Sequence, residues 1–103
     1  MDLFQQIFGS GQAADLGSII NEKSFLVDVR TPVEFAEGSV KGAVNIPLDS
    51  IPTALGRFKD KDNIVVFCRS GSRSSMAKTI LENNNIPNVV NGGSWQYVSR
   101  FVK

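Results

Sequence analysis

The chain has 103 residues, one cysteine and no histidine, a length suited to one domain over residues 1–103 with roughly 60–65% of its unfolded surface available to bury. One cysteine rules out an intrachain disulfide, and without histidine the chain cannot build the common zinc sites or a Ser-His-Asp or Cys-His pair of its own. The formal net charge of +1 is not that of a nucleic-acid binder, yet it is uneven: residues 1–62 hold six Lys/Arg and nine Asp/Glu, giving −3, and residues 63–103 hold five Lys/Arg and one acid, giving +4.

Asp2 stands where a signal peptide would be positively charged, so the N-terminus does not read as a leader. Leu3, Phe4, Ile7 and Phe8 predict a short amphipathic helix over Asp2–Phe8, broken by Gly9-Ser10-Gly11, and Ala13, Leu16, Ile19 and Ile20 predict a second. Phe25 to Val29 is an apolar run broken only by Asp28, as in a strand covered on both faces. Thr31-Pro32-Val33-Glu34 supplies an N-cap, a proline at the first helical position and the acid of a capping box, and Gly38 is placed to end that helix. Val44 to Ile46 predicts a short strand stopped by Pro47, and Asp49 or Ser50 opens a helix expected through Phe58.

Ile64 to Phe67 is the clearest buried strand; the apolar run Ile64–Cys68 is far too short to span a bilayer. Met76, Ala77, Ile80 and Leu81 share a helical face, Val89-Val90 follows as a strand and Gly92-Gly93 as a turn. Ser94 caps a last helix with Trp95, Val98, Phe101 and Val102 on one side. This alternation predicts an α/β fold, a small, mainly parallel twisted sheet with helices on both faces. In such folds ligands bind at the carboxyl ends of the strands. A soluble, cytoplasmic protein is expected, with its thiol kept reduced and no membrane or nucleic-acid partner.

Cys68 ends the Ile64–Phe67 strand and is followed by Arg69-Ser70-Gly71-Ser72-Arg73 and a helix. Backbone N–H groups of such a loop curl into an anion-binding nest, and the helix N-terminus adds roughly half a positive charge. Gly71 permits the backbone angles of a tight loop. Arg69 and Arg73 add full charges. A thiol in that setting has a lowered pKa and acts as a nucleophile without an imidazole base. A strand-end cysteine is also a common core residue; the loop composition favours the nucleophile.

Three segments then resemble the single-domain rhodanese family. Val27-Asp28-Val29-Arg30-Thr31-Pro32-Val33-Glu34-Phe35 is similar to its D-V-R-x-x-x-E-[FY] segment, and Gly42-Ala43-Val44-Asn45-Ile46-Pro47 to its G-A-x-N-I-P segment. Cys68-Arg69-Ser70-Gly71-Ser72-Arg73-Ser74 is similar to its active loop, with Gly92-Gly93-Ser94-Trp95 downstream. The resemblance implies a rhodanese-like fold and a thiosulfate:cyanide-type sulfurtransferase. Cys68 would be the catalytic nucleophile carrying a persulfide, and Arg69, Ser70, Gly71, Ser72 and Arg73 would bind the substrate. Arg73 is also placed to brace the loop, and Ser70, Ser72 and Ser74 offer hydroxyls to the anion or to solvent.

The implied partners are a small anionic donor (thiosulfate or polysulfide) and an external thiol, cyanide or sulfur-accepting protein, with no cofactor and no metal. The alternative is a non-enzymatic sulfur carrier or regulatory protein-binding module of the same fold. Asp28 and Arg30 are expected to be structural, paired with neighbours such as Glu34, and Trp95 to pack in the core. Ser39 stands where many relatives carry a histidine. Four residues separate Cys68 from Arg73, one fewer than in cysteine phosphatases, and the tighter cradle disfavours phosphate.

Overall fold

The computed structural model describes residues 15–103, so the helix expected over Asp2–Phe8 and the position of Ala13 lie outside the described residues. Four strands, β1 (Phe25–Asp28), β2 (Val44–Asn45), β3 (Ile64–Cys68) and β4 (Val89–Ser94), alternate with helices α1 (Leu16–Ile19), α2 (Pro32–Glu37), α3 (Ser72–Asn83) and α4 (Trp95–Ser99). The sheet order is β2-β1-β3-β4, and every pairing is parallel. The expected α/β architecture is therefore the observed one.

The strands read as apolar runs because both faces of the sheet are covered. Ile64, Val66 and Cys68 of β3 share a core with Ala77 and Leu81 of α3 and with Ile51 and Phe58. Val65 and Phe67 face the other way, into a core with Leu16 of α1, Val40 and Val98 of α4. The period of two along β3 thus assigns Cys68 to the α3 side. The chain order moves outward from β1 in one direction to β2 and in the other to β3. That places a topological switch point between β1 and β3, at whose carboxyl end Cys68 lies.

Helix α2 begins as its sequence dictates. The Thr31 hydroxyl accepts the Glu34 N–H, the Glu34 carboxylate accepts the Thr31 N–H, and Pro32 occupies the first turn. Three local expectations are corrected. The helix expected through Phe58 is two 3-10 turns, Leu48–Thr53 and Leu55–Phe58; Pro52 removes a donor and Gly56 weakens helix continuation.

Gly92-Gly93 is not a turn but part of β4, where the register passes from Val66↔Asn91 to Phe67↔Gly93 and leaves Gly92 as a bulge. On α3 the buried positions are Ser74, Ala77 and Leu81, whereas Met76 is 50% exposed. A serine holds a core position there because it faces the cysteine.

Candidate active site

Cys68 is buried at the end of β3, and the chain turns sharply after it. Gly71 takes φ +99, in the region that favours glycine, and caps α3 without a side-chain hydrogen bond. Its N–H therefore points inward and donates to Cys68 Sγ at 3.0 Å. One helical turn on, Ser74 Oγ lies 3.4 Å from the same sulfur. Burial pushes the thiol pKa up, but the Ser74 hydroxyl and the N–H groups of Ser74, Ser70 and Gly71 outweigh it, and the net direction is down from 9.0. Hydrogen bonds that favour the charged form make this sulfur a thiolate more readily than a free cysteine.

The remaining loop residues divide by exposure. Arg69, Ser70 and Ser72 are exposed and Gly71 is half-buried. Arg73 is turned to α2: its Nη1 and Nη2 donate to the two oxygens of Glu34 at 2.7 and 3.0 Å. Each terminal nitrogen gives one of its hydrogens to bracing the loop, and Arg69 is the more exposed of the two loop arginines. The Arg73 hydrogen bond, with help from the Thr31 N–H, lowers the Glu34 pKa from 4.5 to about 2.

Arg30 pairs with Asp28 and not with Glu34. Its Nε and Nη2 grip the Asp28 carboxylate at 2.6 to 3.0 Å, Nη2 also donates to the Gly38 carbonyl at 2.6 Å, and the guanidinium stacks 5.1 Å from the Trp95 ring centre. Ser39 Oγ donates to Asp28 at 2.7 Å, so serine supplies a hydrogen bond at the position where many relatives carry a histidine. Asn45 clamps the turn after β1 by donating to the carbonyls of Asp28 and Arg30, both at 2.9 Å. Trp95 packs against the α4-side core, as expected.

Sequence reasoning passed over Asn91, which reaches Ser74, Gly71 and Gly93 from β4. Its signal was a lone polar residue in strand alternation with Val89, just before the glycine pair. Gly93 lies close under the loop: a Cβ on Gly71 would sit 3.5 Å from its Cα. Gly92 packs tightly, with space for a Cβ denied by Val98 and Val65. Among the described residues no cluster of His, Cys, Asp and Glu is arranged to hold a metal, and no helix is long and apolar enough to cross a membrane.

A strand-end cysteine under a cradle of backbone amides, on a parallel sheet of this order, defines a class of cysteine-loop α/β domains. Residues 12–99 match the rhodanese-like domain family, and the chain belongs to it. It is 36% identical over 70 residues to a sulfurtransferase of Allochromatium vinosum, covering 68% of this chain and 65% of that protein. It is 36% identical over 69 residues to the thiosulfate sulfurtransferase PspE of Escherichia coli, covering 65% and 66%. The chain thus spans just under two thirds of the length of each. Among solved structures, a rhodanese with anions from E. coli matches with a TM-score of 0.67 and 30% identity, over 72% of this chain and 89% of that one.

Proposed function

We propose that this chain is a single rhodanese-like domain acting as a sulfurtransferase, with Cys68 as the nucleophile. The observation that carries the reading is the Gly71 N–H aimed at Cys68 Sγ at 3.0 Å, within a loop whose hydrogen bonds favour the thiolate. The thiolate attacks the outer sulfur of an anionic donor such as thiosulfate. A sulfur–sulfur bond forms to Cys68, the donor's own sulfur–sulfur bond breaks, and sulfite leaves with the electron pair. The persulfide anion keeps one negative charge, which the loop amides stabilise as an oxyanion hole stabilises developing charge.

An external acceptor, cyanide or a thiol, then attacks the terminal sulfur and returns Cys68 as a thiolate. Ping-pong kinetics follow from this two-step covalent route. Arg69, exposed at the loop, attracts the donor, while Ser70, Gly71 and Ser72 present their backbone to it. Arg73 acts on the donor at longer range from its bond to Glu34. With no second cysteine in the chain the persulfide has no internal resolving thiol. The reduced thiol this chemistry requires fits a cytoplasmic setting.

Incubation with thiosulfate should add the mass of one sulfur atom to the intact protein, reversed by cyanide and absent in Cys68→Ser. No adduct on the unsubstituted chain with thiosulfate or polysulfide would overturn the reading.

A further inference from the structure

Asn91 follows Val89 by two positions on β4, so strand alternation turns its side chain to the α3 face, the face that carries Cys68. Its amide makes three hydrogen bonds. Oδ1 accepts the Ser74 hydroxyl at 2.7 Å and the Gly93 N–H at 2.9 Å, and Nδ2 donates to the Gly71 carbonyl at 3.2 Å. A backbone N–H only donates and a backbone carbonyl only accepts, so Gly93 and Gly71 settle which end of the amide is oxygen. The oxygen therefore faces Ser74.

Two of the groups Asn91 holds also reach the sulfur. Gly71 gives its carbonyl to Asn91 and its N–H to Cys68 three residues back, and Ser74 Oγ lies between Asn91 Oδ1 and Cys68 Sγ. Each has other conformations open to it. Gly71 has the backbone freedom of glycine, and a serine side chain has other rotamers to choose from. The Gly71 carbonyl is fixed from a second side by the Ser75 N–H at 3.0 Å, which ties the loop to the first turn of α3.

We propose that Asn91 is a positioning residue for the reactive sulfur: it holds Ser74 Oγ and the Gly71 carbonyl, and so limits the φ/ψ freedom of Gly71, so that the Ser74 hydroxyl and the Gly71 N–H stay aimed at Cys68 Sγ. The inference rests on Cys68 being the working nucleophile. Ser74 has one hydrogen to give. In the thiol state it goes to Asn91, and the S–H faces Ser74 Oγ. When the sulfur loses its proton the hydroxyl turns to the anion, the stronger acceptor, and Asn91 Oδ1 keeps the Gly93 N–H. The oxygens stay in place while the hydrogen moves, which is the preorganisation a developing sulfur anion needs.

The test titrates the lone cysteine in Asn91→Ala and Asn91→Leu, by the pH dependence of alkylation and by thiolate ultraviolet absorbance, with a thermal melt for each variant. Asn91→Ala should raise the Cys68 pKa by roughly half to one unit, about half the worth of a hydrogen bond to the anion, because the donors are loosened and not removed. Asn91→Leu keeps much of the side-chain volume, adds no charge and removes all three hydrogen bonds. It should raise the pKa by a similar amount, and because it leaves less of a cavity it carries the test if the alanine variant does not fold. A parental titration in either folded variant overturns the proposal, because a merely structural role moves the melt and not the pKa. A downward shift in Asn91→Ala also overturns it, since Asn91 would then only compete with the sulfur for the Ser74 hydrogen. No sulfur donor enters the assay, so its result is separate from failure of the persulfide measurement on the parent.

Discussion

Arg73 and Glu34 hold each other through two hydrogen bonds, at 2.7 and 3.0 Å, and so join the helices that follow β1 and β3. Both side chains are about one-third exposed, 31% and 27%. The pair therefore braces the loop while remaining open to salt and solvent. The folded-state pKa of Glu34, about 2 against the usual 4.5, lies below its unfolded value. Its contribution to stability is accordingly present above pH 4.5 and lost as pH falls toward 2. Glu34→Gln should flatten that part of the stability profile, as read by urea denaturation across the acid range. High salt should shrink the difference, and an unchanged acid slope would remove the pair from the loop's support.

Cys68 should alkylate at pH values where a free cysteine is mostly protonated, because its pKa is lowered by the Ser74 hydroxyl and loop amides against the opposing effect of burial. Ser74→Ala removes one of those donors. The alkylation profile should move to higher pH by about one to two units, the worth of one hydrogen bond to an anion. A profile that stays put would leave the amides alone responsible.

Arg69 is the more exposed of the two loop arginines and makes no ion pair among the described residues, whereas Arg73 is paired with Glu34. Arg69→Ala should raise the thiosulfate KM roughly five- to tenfold, about 1–1.4 kcal/mol for one charged contact in partial solvent, with kcat nearly unchanged. The melting temperature should not move. Steady-state kinetics that show a fall in kcat at constant KM would reassign the residue to the chemical step.

Gly92 fills a place where a Cβ would stand 2.6 Å from Val98 Cγ2 and 2.9 Å from Val65 Cγ1. Gly92→Ala should cost about 1–3 kcal/mol by overpacking. Denaturant titration checks this, and a loss below about 0.5 kcal/mol, the size of an ordinary surface substitution, would mean that the bulge relaxes to make room.

Asp28 and Arg30 form a buried pair, at 0% and 5% exposure. Asp28→Ala strands the guanidinium and should cost about 3 kcal/mol, the low end for a broken buried pair. The low end applies because the Gly38 carbonyl and the Trp95 ring still hold Arg30. Chemical denaturation that shows no loss would mean that those two contacts carry Arg30 alone.

Local signals were legible wherever the physics is local. The capping box at Thr31 and Glu34 needs only residues three apart, and it forms as written. The run Ile64–Cys68 is apolar because the strand is covered on both sides, so its burial could be read directly. The 3-10 turns around Pro52 were less legible, since short turns carry little periodicity. The glycine pair misled because glycine marks turns and bulges alike, and only pairing with β3 separates the two.

The sequence by itself determined that this chain has one thiol, no imidazole to activate it, and a glycine- and arginine-bearing loop directly after a buried strand. Those facts follow from composition and from neighbours along the chain. Tertiary structure decided which charges pair and what stands behind the sulfur. Glu34 is 39 residues from Arg73, and Asn91 is 17 from Ser74. Such partners meet only because parallel strands carry the carboxyl ends of β1, β3 and β4 to the same end of the sheet. A one-residue change in the β3–β4 register would turn Asn91 to the opposite face, which is why no reading of neighbours along the chain could place it.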